Sequence, residues 1–151
     1  MNKSYLTFKL PLLALDVGLK RVGVAVSDRR GLSCNGIACL FRQDAGWLKQ
    51  MKKHIDEYAC VGIVVGLPKN MDGTEGVQAK DCRDAGAQVE LFSGLPVYFH
   101  DERLSSWAAR KRLHSMGLNE KKTRARLDQT AAAIILEDFL SVYLKAKEEA
   151  L

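Results

Sequence analysis

The sequence predicts an α/β fold built on a mixed five-stranded sheet that starts antiparallel and continues parallel. Two observations predict it. Two apolar runs near the start, Leu12–Val17 and Val22–Val26, are separated by only four residues, Gly18-Leu19-Lys20-Arg21. A link that short joins antiparallel neighbours. Later apolar runs alternate instead with stretches of helical period, and that alternation implies crossovers to parallel strands.

The elements follow in order. Leu12–Val17 is apolar almost throughout, as a strand covered on both faces must be. Val22–Val26 is its hairpin partner, ended by Ser27-Asp28, and a weaker third strand lies between Gly36 and Phe41. Leu48, Met51, Ile55 and Tyr58 then recur at helical spacing, with lysines between them. Val61–Val65 reads as a buried parallel strand, and the loop from Gly66 to Gly76 is dense in turn residues. Cys82, Ala85, Val89 and Phe92 mark a second helix, starting near Gln78. Pro96–His100 is a strand that runs into Asp101-Glu102-Arg103. Ala109, Leu113 and Met116 stripe a third helix that Gly117 can close, and a long last helix runs from about Asp128. The order β-β-β-α-β-α-β-α-α is that of the RNase H-like fold, with one helix added or divided near the end.

A chain of 151 residues is the length of one domain, here expected to span residues 1–151. With 47% hydrophobic and 27% charged residues it is neither disordered nor a disulfide scaffold. Cys34, Cys39, Cys60 and Cys82 form no C-x-x-C pair, and three histidines form no H-x-x-x-H, which argues against zinc. The cysteines read as small thiols in a reducing compartment. No apolar run of about 18 residues is present, and Asp16 cuts the first one, so neither a membrane span nor a signal peptide is expected. The expected location is the cytoplasm.

Three carboxylates stand where carboxylates are costly. Asp16 ends the most apolar strand, Glu102 follows another central strand, and Asp128 lies four, seven and eleven residues before Ala132, Ile135 and Phe139. Each has an ordinary alternative: a turn hydrogen bond for Asp16, a surface pair with Arg103 for Glu102, an N-cap for Asp128. If the strand continues, Asp101 and Glu102 point to opposite sides, so only one of them shares the Asp16 side. Together, two strand ends and a helix start can gather acids at the carboxyl edge of a sheet. Such a cluster repels itself unless a divalent cation neutralises it. Oxygen ligands suit Mg²⁺ or Mn²⁺, and such a site can direct water at a phosphodiester.

The charge is placed to match. Residues 103 to 126 carry eight cationic side chains against Glu120 alone, a net +7 in a chain whose total is +5. Arg103, Arg110, Lys111 and Arg112 belong to this stretch, which would hold a phosphate backbone without reading its sequence. Lys20 and Arg21, in the turn after Asp16, are expected near substrate phosphate. Asn70 and Thr74, on the glycine-rich loop, are candidates for backbone or sugar contacts, with an ordinary turn role as the alternative for all four.

Four motifs in this order resemble the YqgF/RuvX family of RNase H-fold nucleases, over about Leu12 to Leu144. They are Leu15-Asp16-Val17-Gly18-Leu19-Lys20-Arg21 with the strand after it, Val65-Gly66-Leu67-Pro68-Lys69-Asn70-Met71-Asp72-Gly73-Thr74-Glu75-Gly76, Asp101-Glu102-Arg103-Leu104-Ser105-Ser106, and Leu127-Asp128-Gln129-Thr130-Ala131-Ala132. The resemblance implies relatedness to RuvC-type junction resolvases. It implies a metal-dependent nuclease that matures the 5′ end of pre-16S rRNA, or alternatively resolves Holliday junctions. The family's acidic triad falls on Asp16, Glu102 and Asp128. Where the family usually has Asp-Tyr-Gly-Thr-Lys, this chain has Asp16-Val17-Gly18-Leu19-Lys20, and Lys69 replaces a usual apolar residue. A non-catalytic RNA-binding module in ribosome assembly is the main rival. An ATPase of the actin type would need a second such domain. The expected partner is structured RNA or branched DNA, with the protein a monomer or homodimer.

Overall fold

The computed structural model describes residues 9–104 and 129–142. Among them β1 (Leu12–Val17), β2 (Arg21–Ser27) and β3 (Cys34–Phe41) come first, followed by α1 (Trp47–Tyr58) and β4 (Gly62–Leu67). Then come α2 (Val77–Ser93), β5 (Val97–Asp101) and a 3-10 turn over Glu102–Leu104. Residues 129–142 are helical and are called α3. The sheet order is β3-β2-β1-β4-β5. β1 pairs antiparallel with β2, and β2 with β3, while β1–β4 and β4–β5 are parallel. This is the mixed sheet that the sequence predicts.

Both faces of the sheet are covered, which is why β1 and β4 are apolar on both sides. On one face Leu13, Leu15 and Val17 of β1 meet Met51 and Ile55 of α1 and Cys82, Ala85 and Val89 of α2. On the other, Leu12 and Ala14 of β1 and Val64 of β4 meet Ala132, Ile135, Leu136 and Phe139 of α3. The alternation of β1 places Asp16 on the α3 face, with Leu12 and Ala14.

Two stripe residues depart from expectation. Tyr58 is 39% exposed and Phe92 is 45% exposed, whereas Trp47 at the start of α1 is buried. Tyr58 is the last residue of α1, and Ala59 turns the chain away in the left-handed conformation. Phe92 lies in the last turn of α2, one turn past the buried Val89. The helix of residues 109–116 lies outside the described residues. No helix among the described residues is long and apolar enough to cross a membrane.

Candidate functional site

The register brings two of the three predicted acids together. Leu15 pairs with Val65, so one step further Asp16 stands level with Gly66 of β4, about 4.8 Å away across the sheet. On its other side Asp16 pairs with Gly23 of β2. Glycine on both flanks leaves the carboxylate in a shallow trough on the α3 face.

Glu102 fills the end of that trough. An added Cβ on Gly66 would lie 2.7 Å from Glu102 Oε1 and 2.7 Å from Ile135 Cδ1. Glu102 therefore lies over Gly66, on the α3 face, beside Asp16. Only a glycine permits this approach. Gly66, expected at the start of a loop, lies within β4. Its signal was a glycine inside a buried apolar run, which marks close approach by another group.

Asp101 takes the other face. Val97 and Phe99 pack on the α1–α2 side, while His100 meets Phe139 of α3. Alternation then sends Asp101 with Val97 and Phe99. Its carboxylate accepts Nε and Nη2 of Arg103 at 3.0 and 2.6 Å and the Arg103 backbone N–H at 3.0 Å. The Arg103 guanidinium holds the Asp101 carboxyl below the usual carboxylate range. Between the two adjacent acids, Glu102 is the one on the Asp16 side.

A buried thiol registers both acids. Cys82 of α2 is 1% exposed, and its Sγ donates to the Val17 carbonyl at 3.5 Å. Burial pushes its pKa up to about 12, with the negative charges of Glu102, Asp81 and Asp16 adding to the effect. The thiol is held protonated beneath the acidic edge.

The remaining predicted residues divide. In the loop after β4, Asn70 Nδ2 donates to Thr74 Oγ1 at 2.9 Å, and Thr74 donates from its N–H and its hydroxyl to Asp72. Arg103 Nη1 reaches the Met71 carbonyl at 3.4 Å and stands over Gly73, whose φ is +89°. Asn70, Thr74 and Arg103 thus shape the loop beside the acids. Lys20 is exposed, and Arg21 is half-buried with its guanidinium over the Phe41 ring, 5.7 Å from the centroid. Asp128, Arg110, Lys111 and Arg112 lie outside the described residues.

One tie was not anticipated. Arg42 donates to both oxygens of Asp81, at 2.6 and 3.1 Å, and to the Gly18 carbonyl at 3.0 Å. Its own N–H donates to the Lys20 carbonyl at 2.9 Å. One arginine thereby clamps the turn after Asp16 to the end of β3 and to α2. It was invisible in the sequence because its partners are 24 and 39 residues away.

Among the described residues no three potential ligands form a metal cluster. Asp16 and Glu102 nevertheless fit a hard divalent cation. They are carboxylates from two strand ends on one face, and the flanking glycines leave room for water to complete the shell.

A mixed sheet of this order, with paired acids at its carboxyl edge, defines an RNase H-like protein. The model of the family described as RuvX, Holliday junction resolvase, matches residues 11–142, and the chain belongs to that family. A protein of Lactobacillus delbrueckii subsp. bulgaricus named "Putative pre-16S rRNA nuclease" is 39% identical over 140 residues, covering 89% of this chain and 98% of its own. One of the same name from Geobacillus kaustophilus is 43% identical over 132 residues, covering 85% and 95%. Thermus thermophilus RuvC, solved in complex with a Holliday junction substrate, superposes with a TM-score of 0.52 at 15% identity. It covers 87% of this chain and 95% of its own, a likeness of fold.

Proposed function

We propose that this protein is a divalent-metal-dependent nuclease that trims the 5′ end of pre-16S rRNA in the cytoplasm. The observation that carries the reading is the placement of Glu102 over Gly66 of β4, with Asp16 level with that glycine on the adjacent β1, both on the α3 face at the carboxyl edge of the sheet. Two carboxylates held close together repel each other, and a divalent cation between them offsets that repulsion. Asp16 and Glu102 would hold Mg²⁺ or Mn²⁺, with Asp128 as a third carboxylate. The ion, when bound, supplies an activated water and neutralises charge on the phosphate.

The chain's own residues do the rest. Lys20 lies on the turn after β1 and Arg21 begins β2, on the side of the sheet where cations would hold substrate phosphate. The +7 stretch from Arg103 to Arg126, with Arg110, Lys111 and Arg112, adds backbone affinity that falls with salt. Cys34, Cys39, Cys60 and Cys82 are thiols and not disulfides, the state that a reducing compartment keeps. The name carried by both bacterial relatives supports rRNA as the substrate.

The test is cleavage of a 5′-extended 16S rRNA fragment beside a four-way DNA junction, with Mg²⁺, with Mn²⁺ and with EDTA. The expected result is metal-dependent cutting of the rRNA, lost in Asp16→Asn and Glu102→Gln while both variants stay folded and bind RNA. Preferential cutting of the junction would make the protein a resolvase. RNA binding that survives EDTA, with no cutting under any condition, would make it an assembly module. Unfolding of Asp16→Asn would return Asp16 to the role of a turn residue.

A further inference from the structure

Phe41 ends β3 on the sheet edge, and it faces the wrong way for a core residue. Its neighbour Leu40 is buried against the α1–α2 core, whereas Phe41 is 57% exposed. Phe41 pairs across the ladder with Arg21, and Leu40 with Val22. Val22 belongs to the α1–α2 side, so Arg21 and Phe41 point to the opposite side, the one that carries Asp16 and Glu102.

The position relative to the acids follows from the same ladder. Asp16 pairs with Gly23, and Gly23 pairs with Cys39. Phe41 is therefore two strands across from Asp16 and two residues along, about 12 Å between Cα atoms at ordinary strand spacings. Of the two β2 residues between them on this face, Gly23 has no side chain and Arg21 lies over the Phe41 ring.

One cation lies against the ring, and the residue after it is tied down. The Arg21 guanidinium covers it at 5.7 Å from the centroid. The residue after it, Arg42, is locked by Asp81, by the Gly18 carbonyl and through its own N–H to Lys20. A largely exposed aromatic ring backed by a cation is the arrangement on which unpaired nucleobases stack.

We propose that Phe41, backed by Arg21, is a stacking shelf for an unpaired base of the nucleic-acid strand that crosses the acidic site. The shelf makes the protein select strand that is single near the cut, since a paired base is already stacked within its duplex. This rests on the reading of the protein as a nucleic-acid enzyme. The shelf takes any base, because every base offers a π-face.

The test is binding by the full chain in EDTA, where no cutting occurs. The probes are a single-stranded RNA carrying 2-aminopurine and a blunt RNA duplex of the same sequence. With wild-type protein the fluorescence is expected to be quenched on binding to the single strand. Phe41→Ala is expected to weaken single-strand binding about tenfold and abolish the quenching, while duplex affinity stays the same. Phe41→Tyr is expected to restore both signals and Phe41→Leu neither. Equal loss on both probes, or no loss in Phe41→Ala, overturns the shelf while leaving the nuclease reading intact. Failure of the wild-type chain to bind either RNA overturns the shelf together with the reading beneath it. Circular dichroism of each variant checks that the fold is kept.

Discussion

Glu102 Oε1 lies 2.7 Å from the point where a Cβ on Gly66 would stand, so the backbone of β4 forms the floor on which the carboxylate rests. The same point is 2.7 Å from Ile135 Cδ1. One missing methyl group thus serves both the acidic site and the docking of α3.

Gly66→Ala is expected to push both neighbours away. Overpacking of this kind costs about 1–3 kcal/mol. Denaturant titration would measure that loss, and cleavage would fall because Glu102 leaves its place beside Asp16. Adding Ile135→Val to Gly66→Ala is expected to recover part of the stability and none of the activity. Recovery of both would show that Ile135 alone filled the space and that Glu102 had room to stay.

The Gly66 relationship also shows how far the sequence could be read. The five strands follow from apolar runs and the helical stretches between them, because burial on two sides leaves a plain signature in β1 and β4, while β3 at the sheet edge is only weakly marked. Asp16 and Glu102 were legible for the opposite reason: charge at the end of such a run has to be explained. The assignment of Glu102 over Asp101 needed the structure, since the chain leaves β5 for a 3-10 turn at that very residue. Arg42, Phe41 and Cys82 owe their roles to contacts between elements remote in sequence. Periodicity records which face a residue takes, not which group stands opposite it.

The Arg42–Asp81 pair is expected to be a coupled clamp. Both side chains are largely shielded, at 19% and 28% exposure, and the geometry is bidentate. The Asp81 carboxylate holds the Arg42 guanidinium above its usual pKa. Arg42→Ala also strips a donor from the Gly18 carbonyl, so it should destabilise more than Asp81→Asn. A double-mutant cycle in denaturant should give a coupling energy of about 0.5–3 kcal/mol. Arg42→Lys should behave like a loss, because an ammonium cannot reproduce the fork. Additive effects of the two single changes would mean that the pair is merely adjacent.

His100 sets an acid limit on stability. It is 4% exposed, packs edge-on to Phe139, and its Nε2 is buried without a hydrogen-bond partner among the described residues. Burial lowers its pKa below 6.5, with Asp138 and Asp101 opposing in part. The unfolded chain therefore takes up the proton first. Stability is lost as pH falls below about 6.5 and levels off below the folded value. Asp28, Asp72, Glu75 and Asp101, whose pKa values are lowered by hydrogen bonds, withdraw their contributions only further down, below about 4. The two windows are separate. His100→Leu is expected to flatten the stability curve just below pH 6.5 and to leave the lower limb unchanged. An unaltered upper limb would place the imidazole in water.

Asp128 offers the sharpest division between cap and ligand. It stands four residues before Ala132, seven before Ile135 and eleven before Phe139. All three are buried against the sheet, and Ile135 touches down at Gly66, beside Glu102. A residue at that spacing shares their face if the helix continues through it. Aspartate also caps a helix well, and serine caps about equally. Asp128→Ser therefore keeps a cap and removes a carboxylate. If Asp128 is a ligand, cleavage should fall by orders of magnitude, the Mg²⁺ requirement should rise, and the melting temperature should hold. If it is a cap, activity should be unchanged at saturating and at limiting Mg²⁺ alike. The comparison with Asp128→Ala completes the argument. As a pure cap that change should cost about 1 kcal/mol more than serine, whereas for a ligand the two variants should be equally inactive despite their different stabilities.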